Sequence, residues 1–238
     1  MMFNKYTVYH IQLYLAFFAC AFTVYHCPAC SPETTLVVFD LNGVIVKPDI
    51  QSMLSALYHA KNKQHILTHL IPTAVHLALT SWHTDNSFED VIHECKKYNP
   101  IIADLLRTLS TCQKPIAGTI DIIKTLHAHG YELAIASNMG SETVHAMQVK
   151  YPHIFSCFSF IVTCDTINNS ESSIKKPNTK FFELFEKNYN PHKKNIIFID
   201  DNHMNVQVAQ NAGMHALVFK NAKTLRKQLQ QLTQTQLL

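Results

Sequence analysis

Four places in the 238-residue chain set reactive side chains at the end of an apolar run or beside one. Asp40 follows Leu36-Val37-Val38-Phe39, Ser137-Asn138 follows Leu133-Ala134-Ile135-Ala136, and Asp200-Asp201 follows Ile196-Ile197-Phe198-Ile199. The fourth is Lys176, inside Lys175-Lys176-Pro177. A short continuous apolar run reads as a buried strand of a parallel sheet. The carboxyl ends of such strands open onto one crevice. Acids gathered there hold a hard cation through oxygen ligands. A hydroxyl and a lysine hydrogen-bond or neutralise the oxygens of a phosphate. Asp40 alone reads equally well as the N-cap of a helix, but four polar signals at one edge are hard to explain as caps.

The elements that must carry these residues alternate. After Thr35–Phe39 the chain leaves its first strand through Gly43-Val44-Ile45-Val46, a short turn or hairpin. From Ile50 to Leu109 the apolar spacing is helical, with breaks near Lys61-Asn62, Pro72, Thr84-Asp85-Asn86 and Asn99-Pro100. That predicts about four helices and no strand, a cap-like insertion. From Pro115 onward strands and helices take turns. A helix with Ile120, Ile123, Leu126 and His127 inward ends at Gly130. Strands follow at 131–136, 158–163, 195–199 and 215–219, separated by helices near 141–150, 179–188 and 206–209. Such alternation predicts an α/β fold, a Rossmann-like parallel sheet flanked by helices, with an all-helical cap module. The expected organisation is a Rossmann-like core at 33–47 and 115–222, a cap at 48–114 and a Gln-rich surface helix at 223–238.

The motifs resemble those of the haloacid dehalogenase-like hydrolase superfamily. The first motif of that family appears as Asp40-Leu41-Asn42-Gly43-Val44, the second as Ser137, the third as Lys176-Pro177, and the fourth as Asp200-Asp201-Asn202 with Asn205. The resemblance covers about Thr35 to Phe219. It implies Mg2+ as cofactor and a small phosphorylated substrate. Asp40 would be the nucleophile, forming an aspartyl-phosphate. Asp40, the backbone carbonyl of Asn42 and Asp201 would hold the metal, with Asp200 assisting. Ser137, Asn138 and Lys176 would bind the phosphoryl group, and Lys176 would also orient Asp40. One departure stands out: Asn42 occupies the place of an acid that protonates the leaving oxygen and activates water. An amide cannot give up and recover a proton in that way, so Asn42 implies slow turnover. Two other readings stay open, a member that binds a phosphorylated ligand or protein without catalysis, and a dehalogenase, which departs from the acid at the same place.

Composition sets the outer limits. With 47% apolar and 16% charged residues the chain is globular, and its net charge of +3 is scattered, with no basic cluster to argue for nucleic acid. The 15 histidines are dispersed and form no HExxH pattern. From Tyr6 to Pro32 there is no Asp, Glu, Lys or Arg; Lys5, the apolar run Ile11–Ala21 and Ala19-Cys20-Ala21 form a secretory-signal pattern, with a membrane anchor next to it as a variant. Residues 1–30 are therefore expected to export or anchor the protein, the only membrane association expected, with a cytoplasmic protein as the alternative. Cys27-Pro28-Ala29-Cys30 is a lone CxxC, without the second pair that a zinc site requires.

Overall fold

The computed structural model describes residues 30–59, 92, 96–97, 100–167 and 174–233. The elements in chain order are β1 (Thr35–Phe39), β2 (Val46–Pro48), α1 (Ile50–His59), α2 (Pro100–Ser110), β3 (Gln113–Pro115), α3 (Ala117–Ala128), β4 (Glu132–Ser137) and α4 (Ser141–Lys150). Then come α5 (Pro152–Phe155), β5 (Phe160–Thr163), α6 (Thr179–Tyr189), β6 (Asn195–Asp200), α7 (His203–Asn211), β7 (His215–Val218) and α8 (Ala222–Thr233).

Five strands form one sheet in the order β5-β4-β1-β6-β7, every neighbouring pair parallel. The central strand β1 is buried along its whole length, which is why it shows no polar alternation. Its side chains still alternate between two cores. Val37 and Phe39 pack with Ile122, Ile123 and Leu126 of α3 and Leu225 and Leu229 of α8. Leu36 and Val38 pack on the other face with Phe181, Phe182 and Phe185 of α6 and Val206 of α7. The result is a helix–sheet–helix sandwich. The chain order reverses direction across the sheet between β1 and β6, a switch point where α/β proteins place ligands.

Two expectations need correcting. In α3 the inward face is Ile120, Ile122, Ile123 and Leu126, whereas His127 is exposed. Desolvating an imidazole costs more than burying Ile122, so the helix turns His127 outward. The tail helix α8 is more than a surface cover. Leu225 and Leu229 are fully buried against the sheet's helical layer, so α8 completes the core.

The insertion between β1 and α3 opens and closes on a ribbon absent from the sequence reading. β2 and β3 pair antiparallel, with Val46 opposite Pro115 and Pro48 opposite Gln113. An ion pair of 3.1 Å between Lys114 and Asp49 lies beside it. The described ends of the insertion, α1 and α2, are helical; most of residues 60–99 lies outside the described residues, as do the N-terminal segment before Cys30 and the expected feature Cys27. Among the described residues no helix is long and apolar enough to cross a membrane, and no disulfide joins Cys30, Cys112, Cys157 and Cys164.

Candidate active site

The parallel register delivers the polar residues to one edge. Asp40 extends the ladder just beyond β1, its N–H donating to the Ile199 carbonyl at 2.8 Å. Asp200 ends β6 one strand away, and Ser137 ends β4 on the other side. Lys176 belongs to no helix or strand. Its ammonium donates to Asp40 Oδ1 at 2.8 Å, Asp200 Oδ2 at 2.6 Å and the Ala136 carbonyl at 2.7 Å. Three donors thus meet three acceptors, and the side chain is 1% exposed. Charges so buried persist only when paired and hydrogen-bonded.

Asp200 is saturated. Besides Lys176 it accepts from the Asn205 amide at 3.0 Å on each oxygen and from the Asn202 N–H at 2.9 Å. Asp201 is the opposite case: exposed, with no side-chain donor on its carboxylate among the described residues. It lies against the turn after β1. There Gly43 has φ +85°, and a Cβ on it would sit 2.2 Å from Asp201 Oδ2. Only glycine adopts that backbone freely and leaves the carboxylate its place. The turn is held by the Gly43 N–H on the Val46 carbonyl at 2.7 Å and by the Ile45 and Val46 N–H groups on the Leu41 carbonyl.

Oxygens of Asp40, Asp200 and Asp201 all lie within 4.8 Å of one another. Magnesium suits this donor set, which is all hard oxygen and carries more negative charge than Lys176 cancels. Asn205 Oδ1 is a buried acceptor with no hydrogen-bond partner among the described residues, a further oxygen for such a site. The electrostatics agree. Burial raises the Asp40 carboxyl to about 7, with the Asp200 charge adding to the rise and the Lys176 ammonium opposing it. Burial and the Asp200 charge also raise Asp201. Burial by itself would lower Lys176, but Asp40 and Asp200 outweigh it and hold the ammonium charged. Carboxyls pushed up without a second cation are relieved when a metal supplies one.

A cavity of about 270 Å³ opens over this edge, lined by Asp40, Asn42, Ser137, Lys176 and Asp201 among others. Asn42 is exposed at its wall. Ser137 Oγ accepts from the Met139 N–H at 3.1 Å, so its own proton remains to be donated.

A family model described as haloacid dehalogenase-like hydrolase matches residues 37–219. The chain belongs to the haloacid dehalogenase-like hydrolases. No curated protein matches it. Among solved structures, the magnesium-bound putative HAD-hydrolase YfnB from Bacillus subtilis is similar with TM-score 0.60 and 16% identity over 82% of this chain and 98% of that one. A HAD family enzyme from Bacteroides thetaiotaomicron, an aspartate-to-alanine variant in complex with magnesium and inorganic phosphate, has TM-score 0.56 and 14% identity over 79% and 94%. The L-2-haloacid dehalogenase from Xanthobacter autotrophicus has TM-score 0.50 and 17% identity over 76% and 75%. At these identities the likeness is one of fold.

Within this hydrolase fold the structure brings Asp40, Asn42, Ser137, Lys176, Asp200 and Asp201 to one cavity. Asn138 lines it too, but its amide is engaged elsewhere, on the backbone of Lys176. Three contributors escaped the sequence reading. Ser110 at the end of α2 and Thr143 of α4, with hydroxyls 3.3 Å apart, line the cavity, and no sequence signal marks them. Asp165 follows β5 and accepts from the Ser141 N–H, the Ser141 hydroxyl at 2.6 Å and the Thr163 hydroxyl, fixing the start of α4. Its position just past a strand end was the available signal. Burial works against its charge, but these donors outweigh it and lower its carboxyl below the usual range.

Proposed function

We propose that the chain is a Mg2+-dependent phosphoester hydrolase in which Asp40 is the nucleophile. The observation that carries this reading is the cluster of three carboxylates within 4.8 Å of one another beside a charged lysine. Two structural neighbours were solved with magnesium, one of them also with inorganic phosphate. Asp40, the backbone carbonyl of Asn42 and Asp201 would hold the ion, with Asp200, whose oxygens Lys176 and Asn205 engage, assisting from behind. When bound it supplies Lewis-acid stabilisation of charge on the phosphoryl oxygens.

The chain's own residues do the rest. The Asp40 carboxylate attacks phosphorus, the bond to the leaving oxygen breaks, and an aspartyl-phosphate forms. Lys176 fixes the attacking oxygen at 2.8 Å and offsets charge as it spreads. The Ser137 hydroxyl, free to donate because its oxygen accepts from Met139, takes a phosphoryl oxygen. Water then attacks the aspartyl-phosphate and releases phosphate. Asn42 hydrogen-bonds at the cavity wall but transfers no proton, so leaving groups that depart as stable anions react fastest. The insertion between β2 and β3 acts as a cap that selects a small phosphorylated substrate, and the uncharged segment before Pro32 exports or anchors the chain.

A second reading, dehalogenation at Asp40, is favoured by one observation, the amide of Asn42 where phosphatases of the family carry an acid. Phosphate release from nitrophenyl phosphate and acetyl phosphate, with and without Mg2+, tests the first reading; chloride release from 2-chloropropionate tests the second. Mg2+-dependent phosphate release that disappears in Asp40→Asn supports the proposal. Metal-independent chloride release overturns it. Inertness in both assays leaves a binding protein.

A further inference from the structure

We infer that the Asn138 side chain positions Lys176 and is not itself a contact to the substrate; this rests on the proposed reading of the site as one for magnesium and a phosphoryl group. Lys176 lies between Ile174 and α6, in backbone that belongs to no helix or strand. Its buried N–H and C=O need partners from another element. The Asn138 amide supplies both. Asn138 Oδ1 accepts from the Lys176 N–H at 2.9 Å, and Asn138 Nδ2 donates to the Lys176 carbonyl at 2.8 Å. Among side chains of this length only asparagine offers a donor and an acceptor on one planar group; aspartate lacks the donor and alanine lacks both.

The same strand end holds the lysine at its other extremity. Ala136, two residues earlier, accepts from Nζ at 2.7 Å. Ser137 between them has its hydroxyl at the cavity. Three consecutive residues at the end of β4 therefore do separate things: a carbonyl takes the ammonium, a serine lines the cavity, and an amide grips the lysine backbone. A lysine side chain has four rotatable bonds. Fixing both ends leaves its ammonium one place to be, between Asp40 and Asp200 at 2.8 and 2.6 Å. Removing the backbone grip lets the ammonium drift. A drift of about 1 Å costs a preorganised site roughly a hundredfold.

The drift has a signature that plain loss of structure lacks. The Lys176 ammonium attracts a phosphoryl anion and repels a cation at Asp40. Its displacement weakens binding of the anion and tightens binding of the cation. The experiment is calorimetric titration of the full-length protein with orthovanadate and with Mg2+, in wild type, Asn138→Ala, Lys176→Met and the double variant. Asn138→Ala is expected to weaken orthovanadate by at least about tenfold and to tighten Mg2+ by at least about twofold. In the Lys176→Met background, Asn138→Ala should change the orthovanadate Kd by less than about twofold, because coupled residues are not additive.

Additive losses would mean that Asn138 touches the ligand itself, and the inference fails. If Lys176→Met does not fold, the Mg2+ titration of Asn138→Ala decides: unchanged or weaker Mg2+ binding overturns the inference. Wild type that binds neither Mg2+ nor orthovanadate overturns the functional reading, whereas wild type that binds both while the losses add overturns only the role of Asn138.

Discussion

Gly43→Ala is the sharpest perturbation of the proposed metal site, because it leaves every candidate ligand in place chemically and moves one. A Cβ at Gly43 would lie 2.2 Å from Asp201 Oδ2 and 2.7 Å from its carboxyl carbon. Contacts under about 3 Å are not tolerated, so the carboxylate must retreat by about 0.8 Å or more. Asp201 is exposed, and its side chain can swing away at little cost to stability. The backbone cannot adapt so easily. Alanine at φ +85° costs about 1–3 kcal/mol, which lowers Tm by roughly 2–4 °C per kcal/mol for a domain of this size. The retreating carboxylate leaves the cluster in which the three acids lie within 4.8 Å of one another. Mg2+ affinity should fall about 10- to 100-fold, the range seen when support of a metal ligand is lost, and kcat/KM at limiting Mg2+ should fall with it. Asp201→Asn is the control: the same loss of Mg2+ affinity with little change in Tm, since its carboxylate has no side-chain partner among the described residues. Titration calorimetry with Mg2+ and thermal denaturation read the two effects separately. Gly43→Ala binding Mg2+ within about twofold of wild type would show that Asp201 is not a ligand, and the argument from Gly43 would fall.

Asn42→Asp should raise kcat/KM for an alkyl phosphate by at least about tenfold, within the range for a restored general acid, while changing nitrophenyl phosphate turnover much less; paired steady-state assays read the contrast. Asp40 gives a pH dependence with a definite sign. Its folded value is raised to about 7 from 3.8, so the metal-free fold binds more protons than the unfolded chain in that window and loses stability as pH rises through it. A bound cation removes that penalty, so the Tm gain from Mg2+ should be larger at pH 7.5 than at pH 5.5; an equal gain at both refutes the burial argument. Leu225→Ala should cost about 2–5 kcal/mol by urea denaturation, the price of a cavity in a closed core, whereas a helix lying only on the surface would lose less than about 0.5 kcal/mol.

The sequence alone determined the sheet and its loaded edge. Runs such as Leu36–Phe39 and Ile196–Ile199 are apolar at every position because both faces of a parallel sheet are covered, and that signal is local. The residue that ends each run must sit at the carboxyl edge, so Asp40, Ser137 and Asp200 were placed by the pattern. The Asp40-Leu41-Asn42-Gly43 turn and the departure at Asn42 are equally local. Alternation after Pro115 carried the fold class, and a glycine at the C′ position, Gly130 with φ +82°, closed α3 where expected. What needed the tertiary structure were partnerships across long stretches of chain. Lys176 and Asp40 are 136 residues apart, and which acid the lysine pairs with, and how fully, depends on three strand ends meeting. That Asp200 is consumed by Lys176 and Asn205 while Asp201 stays open follows from side-chain direction on adjacent residues, which alternates and is fixed only by the register of β6 with its neighbours. The strand-end pattern put Asn138 beside the cavity; only the loop that returns after β5 shows what its amide holds. The Gln-rich tail likewise hid its role, because amphipathic spacing says that a helix has an apolar face but not which surface will bury it; the packing of Leu225 and Leu229 against α3 and the sheet supplied the answer.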